Sequence, residues 1–256
     1  MLTKGDFITL AVPCAPMRSD ASDASEMVSE ALAGEAAIVK EVGEKDWIRI
    51  ELAGDGYQGW SDRKQWKLDD ARASNESALR PFRLQAPTSP WLCLNGAVIQ
   101  LPAGAIVHLN ASSKWSCAGL EMEPLFSMDE MFQVHSDPLD AANSFLGAPY
   151  RWGGRCVWGM DCSGLMQLAY LLCGQRLPRD ASQQAKEGEQ IDWNERSPGD
   201  LAFFQNDAGR IVHVGILKSR EAILHAAGEV RLDQLKETGI WSGNQETHAM
   251  AFIRRV

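Results

Sequence analysis

No run in this sequence reaches the roughly 18 consecutive apolar residues that a membrane-spanning helix needs. The apolar stretch at residues 7–12 is too short for the core of a secretory leader, so the expectation is a cytoplasmic protein that crosses no membrane. A cationic surplus is also missing: 25 Lys and Arg stand against 34 Asp and Glu, a formal charge of −9. Without a basic stripe, nucleic acid is excluded as a partner, because phosphate contacts need clustered Lys and Arg. Cysteine is unpatterned. Cys14, Cys93, Cys117, Cys156, Cys162 and Cys173 include no CxxC pair, so reduced thiols are expected, with no disulfide framework, no metal and no cofactor. Histidine is scarce, five in 256 residues, so each one in an apolar setting is informative.

What the chain has is core material: 45 % of its residues are hydrophobic, and 256 residues suffice for two domains or more. The first half reads as short strands between turns. AAIVKEV and WIRIEL flank Gly43-Glu44-Lys45-Asp46, a hairpin pattern, and Asp55-Gly56 marks the next turn. A unit then recurs. Ala37-Ile38-Val39 precedes Trp47, and Ala105-Ile106-Val107 precedes Trp115 with the same Val-to-Trp spacing. The turns before them are Ala33-Gly34 and Ala103-Gly104. Two copies of a small β-barrel are expected, over residues 1–70 and, degenerate, 71–136, with the polar stretch 68–78 as linker. One irregular β domain is the alternative. Trp47, Trp60, Trp66, Trp91 and Trp115 read as packing anchors rather than sugar-stacking platforms.

From residue 137 the texture changes. Asp137 and Pro138 open a helical stretch that Gly147 stops. Leu165, Leu168, Ala169 and Leu172 share one helical face, and Gly174 ends that helix. A short helix around DASQQAKEG precedes the strands LAFFQ, IVHVGILK, AILHAAG and AMAFIRRV. Helices first and antiparallel strands after predict an α+β domain over residues 137–256.

Cys162 stands at the start of the second helix, where unpaired N–H groups and the helix dipole favour a thiolate. Position alone leaves two readings open, a nucleophile or a buried small hydrophobe. His213 in IVHVGIL and His225 in AILHAAG lie centrally in apolar strands. Neighbouring strands can supply a base, His213, and a residue that orients it, His225. The glycines at 153, 154 and 159 read as backbone left clear for a substrate.

The runs PYRWGG, GMDCSGL, LPRDASQQ, SPGDLAFF, IVHVGI and ILHAAG, in this order over residues 137–256, resemble the NlpC/P60 cysteine peptidases. LAGEAAIVKEVGEKDWIRIELAGDGYQGW, and more loosely LPAGAIVHLNASSKWSCAGLE, resemble bacterial SH3 (SH3b) domains. The resemblance implies a papain-like catalytic domain behind one or two SH3-like barrels, acting on peptidoglycan peptides. It further implies Cys162 as nucleophile, His213 as base, His225 as third residue and Tyr150 beside the oxyanion. Asp161 and Ser163 correspond to positions on the substrate main chain, although Asp161 equally suits a helix N-cap.

SH3b domains ahead of such a domain resemble γ-D-glutamyl-L-diamino acid endopeptidases, which cut stem peptides bearing a free N-terminal L-Ala. That resemblance makes Asp180 the partner of the substrate ammonium, with helix capping as its alternative role. It makes Glu26 and Tyr57 candidates for closing the far end of the cleft. Ala181 and Met160 depart from the family pattern, where a hydroxyl residue and an aromatic are frequent. A cell-wall-binding SH3b protein, or a wall hydrolase or amidase acting on intact peptidoglycan, is the alternative. The sequence carries no signal for an oligomeric state.

Overall fold

The structure, a computed structural model, describes residues 2–69, 80–127, 129, 132 and 134–256. It divides into two units: Met1–Val134 with Gly153–Val157, and His135–Trp152 with Trp158–Val256. Of the stretch read as a linker, residues 70–78 lie outside the described part.

The first unit contains two sheets. In one, β1 (Phe7–Leu10), β2 (Cys14–Arg18), β3 (Met27–Leu32), β4 (Ala36–Val42), β5 (Trp47–Leu52), β6 (Gln58–Asp62) and β7 (Trp66–Leu68) lie in the order β3-β2-β6-β5-β4-β1-β7. In the other, β8 (Arg80–Arg83), β9 (Thr88–Cys93), β10 (Val98–Pro102), β11 (Ile106–Leu109), β12 (Trp115–Cys117) and β13 (Leu120–Pro124) follow β10-β9-β13-β12-β11-β8. Strand for strand this is the first order again, without a counterpart of β7 among the described residues. The faint sequence repeat is therefore a repeat of topology.

Alternation drives each sheet. On β4 and β5, Ala37, Val39, Ile48, Ile50 and Leu52 are buried while the residues between them are more open, the period of two expected of a strand with one face on a core. The β4–β5 hairpin turns through Lys45 and Asp46, both at positive φ, within the predicted turn. Trp66 is buried in the first core, where its indole N–H donates to Ser61 Oγ at 3.0 Å. Trp91 and Trp115 anchor the second core, ring centroids 5.9 Å apart, edge to face. Trp47 and Trp60 are half-buried.

In the second unit, helix α1 (Pro138–Asn143) is N-capped by Asp137, whose side chain accepts from the Asp140 N–H. Helix α2 (Cys162–Leu172) is buried on nearly every side, and Gly174 follows it at φ +76°. Helix α3 (Ala181–Gln184) is short. Seven antiparallel strands follow: β14 (Glu189–Ile191), β15 (Leu201–Gln205), β16 (Ile211–Ser219), β17 (Ala222–Ala227), β18 (Glu229–Lys236), β19 (Gly239–Ser242) and β20 (Gln245–Arg255). Their order is β14-β20-β15-β16-β17-β18-β19, and β19 pairs back onto β20, closing the last six into a barrel. Ala202, Phe204, Leu217, Ile223, Leu235, Ile240 and Ile253 form its core cluster. Residues 213–217 of β16 are all buried, so this strand is covered on both faces.

Gly34, at φ +76°, is held tightly: a Cβ there would lie 2.1 Å from the Ile106 carbonyl oxygen. Gly56, at φ +74°, has open space around it. Gly34→Ala should therefore cost about 2–4 kcal/mol in urea unfolding and Gly56→Ala about 1 kcal/mol. Equal costs would show that the close approach is not a constraint.

Candidate active site

Asp161, in extended conformation, caps α2 by accepting from the Gly164 N–H at 2.7 Å and so sets Cys162 as its first residue. Only 6 % of Cys162 is exposed. Burial pushes its thiol up to about 11, and the Asp161 charge adds to this. The backbone N–H groups of Val214 and Ser163 donate towards the sulfur and, with Arg179, pull the other way. The sequence-level expectation of a thiolate favoured by the helix start is thus outweighed by desolvation. At rest the sulfur holds its proton.

Beneath the helix start, Arg179 grips Asp161 through two hydrogen bonds, 3.0 Å to Oδ1 and 2.6 Å to Oδ2, and donates to Ser163 Oγ at 3.0 Å. All three residues are buried. Gln184 Nε2 donates to the Ser163 carbonyl at 3.0 Å and the Pro178 carbonyl at 2.8 Å. The side chains of Asp161 and Ser163, expected on the substrate, are engaged in this clamp. Arg179 lies in the LPRDASQQ run, yet sequence reasoning gave it no role.

His213 and His225 sit on adjacent strands of the barrel. Gly215 pairs directly with His225, and a Cβ at 215 would fall 2.9 Å from the His225 Cβ. The missing side chain leaves room for His213, two residues along, to meet His225 across the strands. A bulge helps aim it: Phe204 pairs with His213 but Gln205 with Ile211, so Val212 is the extra residue. His213 Nε2 lies 2.8 Å from His225 Nδ1, and His225 Nε2 lies 3.0 Å from Asp233 Oδ2. Arg231 Nε donates to the same Asp233 oxygen at 2.9 Å.

This chain fixes the protons. A carboxylate only accepts, so His225 must carry its hydrogen on Nε2, which leaves its Nδ1 bare. His213 then donates from Nε2, and its own Nδ1 is bare and basic. Burial lowers the pKa of His213 well below 6.5 and that of His225 to about 4, the latter against the opposing pull of Asp233. His248 stacks on His213, ring centroids 4.1 Å apart, and burial lowers its pKa too. Asp233, Arg231 and His248 were not found from the sequence. Strand register alone brings them to the site: His225 pairs with Arg231, and Asp233 lies two residues on.

Tyr150 is half-buried, its backbone N–H bonded to the Gly228 carbonyl at 2.8 Å. Burial raises its hydroxyl to about 12, with the charges of Cys162 and Asp161 adding, so it stays a hydrogen-bond donor. Asp180 forms a capping box with Gln183 at the start of α3. Glu26 and Tyr57 belong to the first unit. Glu26 is exposed just before β3; Tyr57 packs on the first core, with its hydroxyl donating to the Val28 carbonyl at 3.4 Å.

Residues 147–248 match the NlpC/P60 family, and residues 17–65 match a bacterial dipeptidyl-peptidase SH3 domain. The chain is similar to a γ-D-glutamyl-L-lysine dipeptidyl-peptidase of Bacillus subtilis, 27 % identical over 67 % of this chain and 60 % of that one. It is also similar to a dipeptidyl-peptidase 6 of Lysinibacillus sphaericus, 27 % identical over 83 % of this chain and 86 % of that one. In fold it resembles the crystal structure of an NlpC/P60 family protein from Bacillus cereus, with TM-score 0.81 and 19 % identity over 97 % of this chain and 99 % of that one.

The neutral histidines make stability depend on pH. Between 6.5 and about 4 the unfolded chain accepts a proton that folded His225 refuses, so stability is complete above that window and falls as pH drops through it. For His225 alone the loss is on the order of 3 kcal/mol. Thermal unfolding from about pH 7.5 down to about pH 4.5 should show this slope, flattened in His225→Gln. The same slope in both proteins would contradict a buried, neutral His225.

Proposed function

The chain pairs an NlpC/P60 domain with a bacterial SH3 domain, and on that footing we propose that it is a cysteine peptidase of peptidoglycan stem peptides. It cuts the bond between γ-D-Glu and the diamino acid in peptides with a free N-terminal L-Ala. The observation that carries this reading is the continuous chain from Asp233 through His225 to a bare His213 Nδ1, in the same unit as a thiol at a helix start. Names of two relatives aligned over most of this chain support the substrate class. The fold reading is papain-like: a nucleophile on a helix and its base on a sheet.

The resting pair is thiol and neutral imidazole, so the proton moves during attack. The Cys162 sulfur bonds to the γ-glutamyl carbonyl carbon while its proton passes to His213 Nδ1. Developing charge on the carbonyl oxygen is met by the Cys162 N–H, which the helix start leaves outside helical pairing, and by the Tyr150 hydroxyl. The carbon–nitrogen bond then breaks, and the His213 proton goes to the leaving amine. Water, deprotonated by the same nitrogen, attacks the thioester and releases L-Ala-γ-D-Glu and the thiol. Asp180 holds the substrate ammonium. A substrate with a free N-terminal L-Ala fits a part in recycling soluble muropeptides in the cytoplasm.

Incubation with L-Ala-γ-D-Glu-L-Lys or its diaminopimelate analogue should release L-Ala-γ-D-Glu, and Cys162→Ala should lower the rate at least about 10³-fold. No release from either peptide, or equal release by the variant, would sink the reading. Equal cleavage of the N-acetylated peptide would instead favour a hydrolase of intact wall. The acid limb of kcat/KM should lie below pH 6.5, because His213 resists protonation.

A further inference from the structure

A second cluster of reactive groups lies entirely within the first unit. Cys14 begins β2, Glu30 stands on β3, and Cys156 belongs to the segment Gly153–Val157, which packs as part of this unit. Gly153, which the sequence suggested was left bare for a substrate, is bare for another reason: a Cβ there would lie 2.4 Å from the Met27 carbonyl oxygen. The segment is thereby seated on β3. Pairing of Cys14 with Leu32 and Pro16 with Glu30 puts Cys14 and Glu30 on neighbouring positions of one strand pair. On β2 the barrel core takes Ala15 and Met17, so Cys14 faces away from it.

The two sulfurs and a Glu30 oxygen lie within 4.8 Å of one another. Cys156 is fully buried, Glu30 is 2 % exposed, and Cys14 is half-buried. The buried Cys156 thiol shares hydrogen bonds with Cys14 and Glu30, so the three groups already converge on one point. Two thiolates bound to one zinc at about 2.3 Å each stand roughly 3.8 Å apart, so the observed cluster needs shifts of about 1 Å at most. Two thiolates and a carboxylate around a divalent ion leave one negative charge, and the Arg155 guanidinium, itself paired with Glu35, stands beside the cluster. Arg155 donates its backbone N–H to Glu30 Oε2 at 3.1 Å, and its guanidinium to the Glu30 carbonyl at 2.8 Å and to both oxygens of Glu35 at 3.1 and 3.2 Å.

We propose that Cys14, Glu30 and Cys156 form a binding site for a thiophilic divalent cation, zinc above all, with water as its fourth ligand on the side of the half-buried Cys14. Sulfur ligands select zinc over magnesium or calcium, and the carboxylate completes a mixed set. Binding displaces one proton from each thiol, so affinity rises with pH. The ion fastens the segment to β3 six residues ahead of Cys162 in the chain, which gives it a structural role and no part in the reaction. Spacing could not reveal the site, because its ligands are 16 and 126 residues apart.

The test uses the full chain, reduced and freed of metal. Titration with Co²⁺ should produce a thiolate-to-cobalt charge-transfer band that saturates near one equivalent, and Zn²⁺ should bleach it. Zn²⁺ should also raise the melting temperature of the wild-type chain. Cys14→Ser and Cys156→Ser should each weaken binding by at least about tenfold, as should Glu30→Gln, which keeps the shape of the site should a cysteine variant fail to fold. Cys173→Ser, which changes no member of the cluster, should titrate like the wild type. Absence of the band in the wild-type chain would overturn the proposal, as would an undiminished band in Cys156→Ser or Glu30→Gln. A chain recovered lighter by two hydrogens, with Cys14 and Cys156 joined, would overturn it in favour of a disulfide.

Discussion

The contact on which the rest of the site depends is the hydrogen bond between His213 and His225, 2.8 Å long and buried. Two imidazoles can share it only if one donates and the other accepts. Asp233 decides which, because it can do nothing but accept from His225 at 3.0 Å. The barrel is built around this requirement. Gly215 leaves out the side chain that would block the two rings, the bulge at Val212 turns His213, and closure of β19 onto β20 belongs to the same sheet that brings His248 against its face. In a site this dry, an unmade hydrogen bond costs about 1–3 kcal/mol, so the tautomers are locked rather than merely preferred.

The sulfur side is held by a different device. Arg179 joins Asp161 and Ser163 into one buried cluster under the first turn of α2, so the position of Cys162 follows from an ion pair rather than from the helix alone. Breaking one partner of such a pair typically costs about 3–5 kcal/mol, because a charge is left buried and unmatched. Burial keeps both the thiol and its base neutral. On the proposed mechanism the reaction therefore begins with a proton transfer coupled to attack, not with a stored thiolate and imidazolium. Desolvation, which raises the thiol and lowers the imidazole, outweighs the helix dipole here.

Much of this was legible in the sequence. Hairpin spacing, the repeated Ala-Gly turn and the strand pattern around His213 and His225 foretold the strands and turns that form, because each is a local matter of periodicity and turn chemistry. The residues that sequence reasoning missed all act across strands. Asp233 sits in EVRLDQL, which reads as an ordinary half-exposed strand until its register against β17 is known. His248 reads as a surface histidine on β20 and becomes a ring stacked on His213 only when the barrel closes. Cys156 reads as a loop residue because its neighbours Cys14 and Glu30 arrive from far upstream. Asp161 and Ser163 were matched to substrate by resemblance, and the residue that engages them, Arg179, lies 18 and 16 positions away in the chain.

The claim at the centre of the account is the direction of the protons along Asp233, His225 and His213. Long-range ¹H–¹⁵N correlation of the histidine rings in the free protein at neutral pH reads it directly. The account predicts that His213 and His225 are both neutral and both carry hydrogen on Nε2, leaving Nδ1 of His213 bare. A hydrogen on Nδ1 of His213, or an imidazolium at either position, would contradict it.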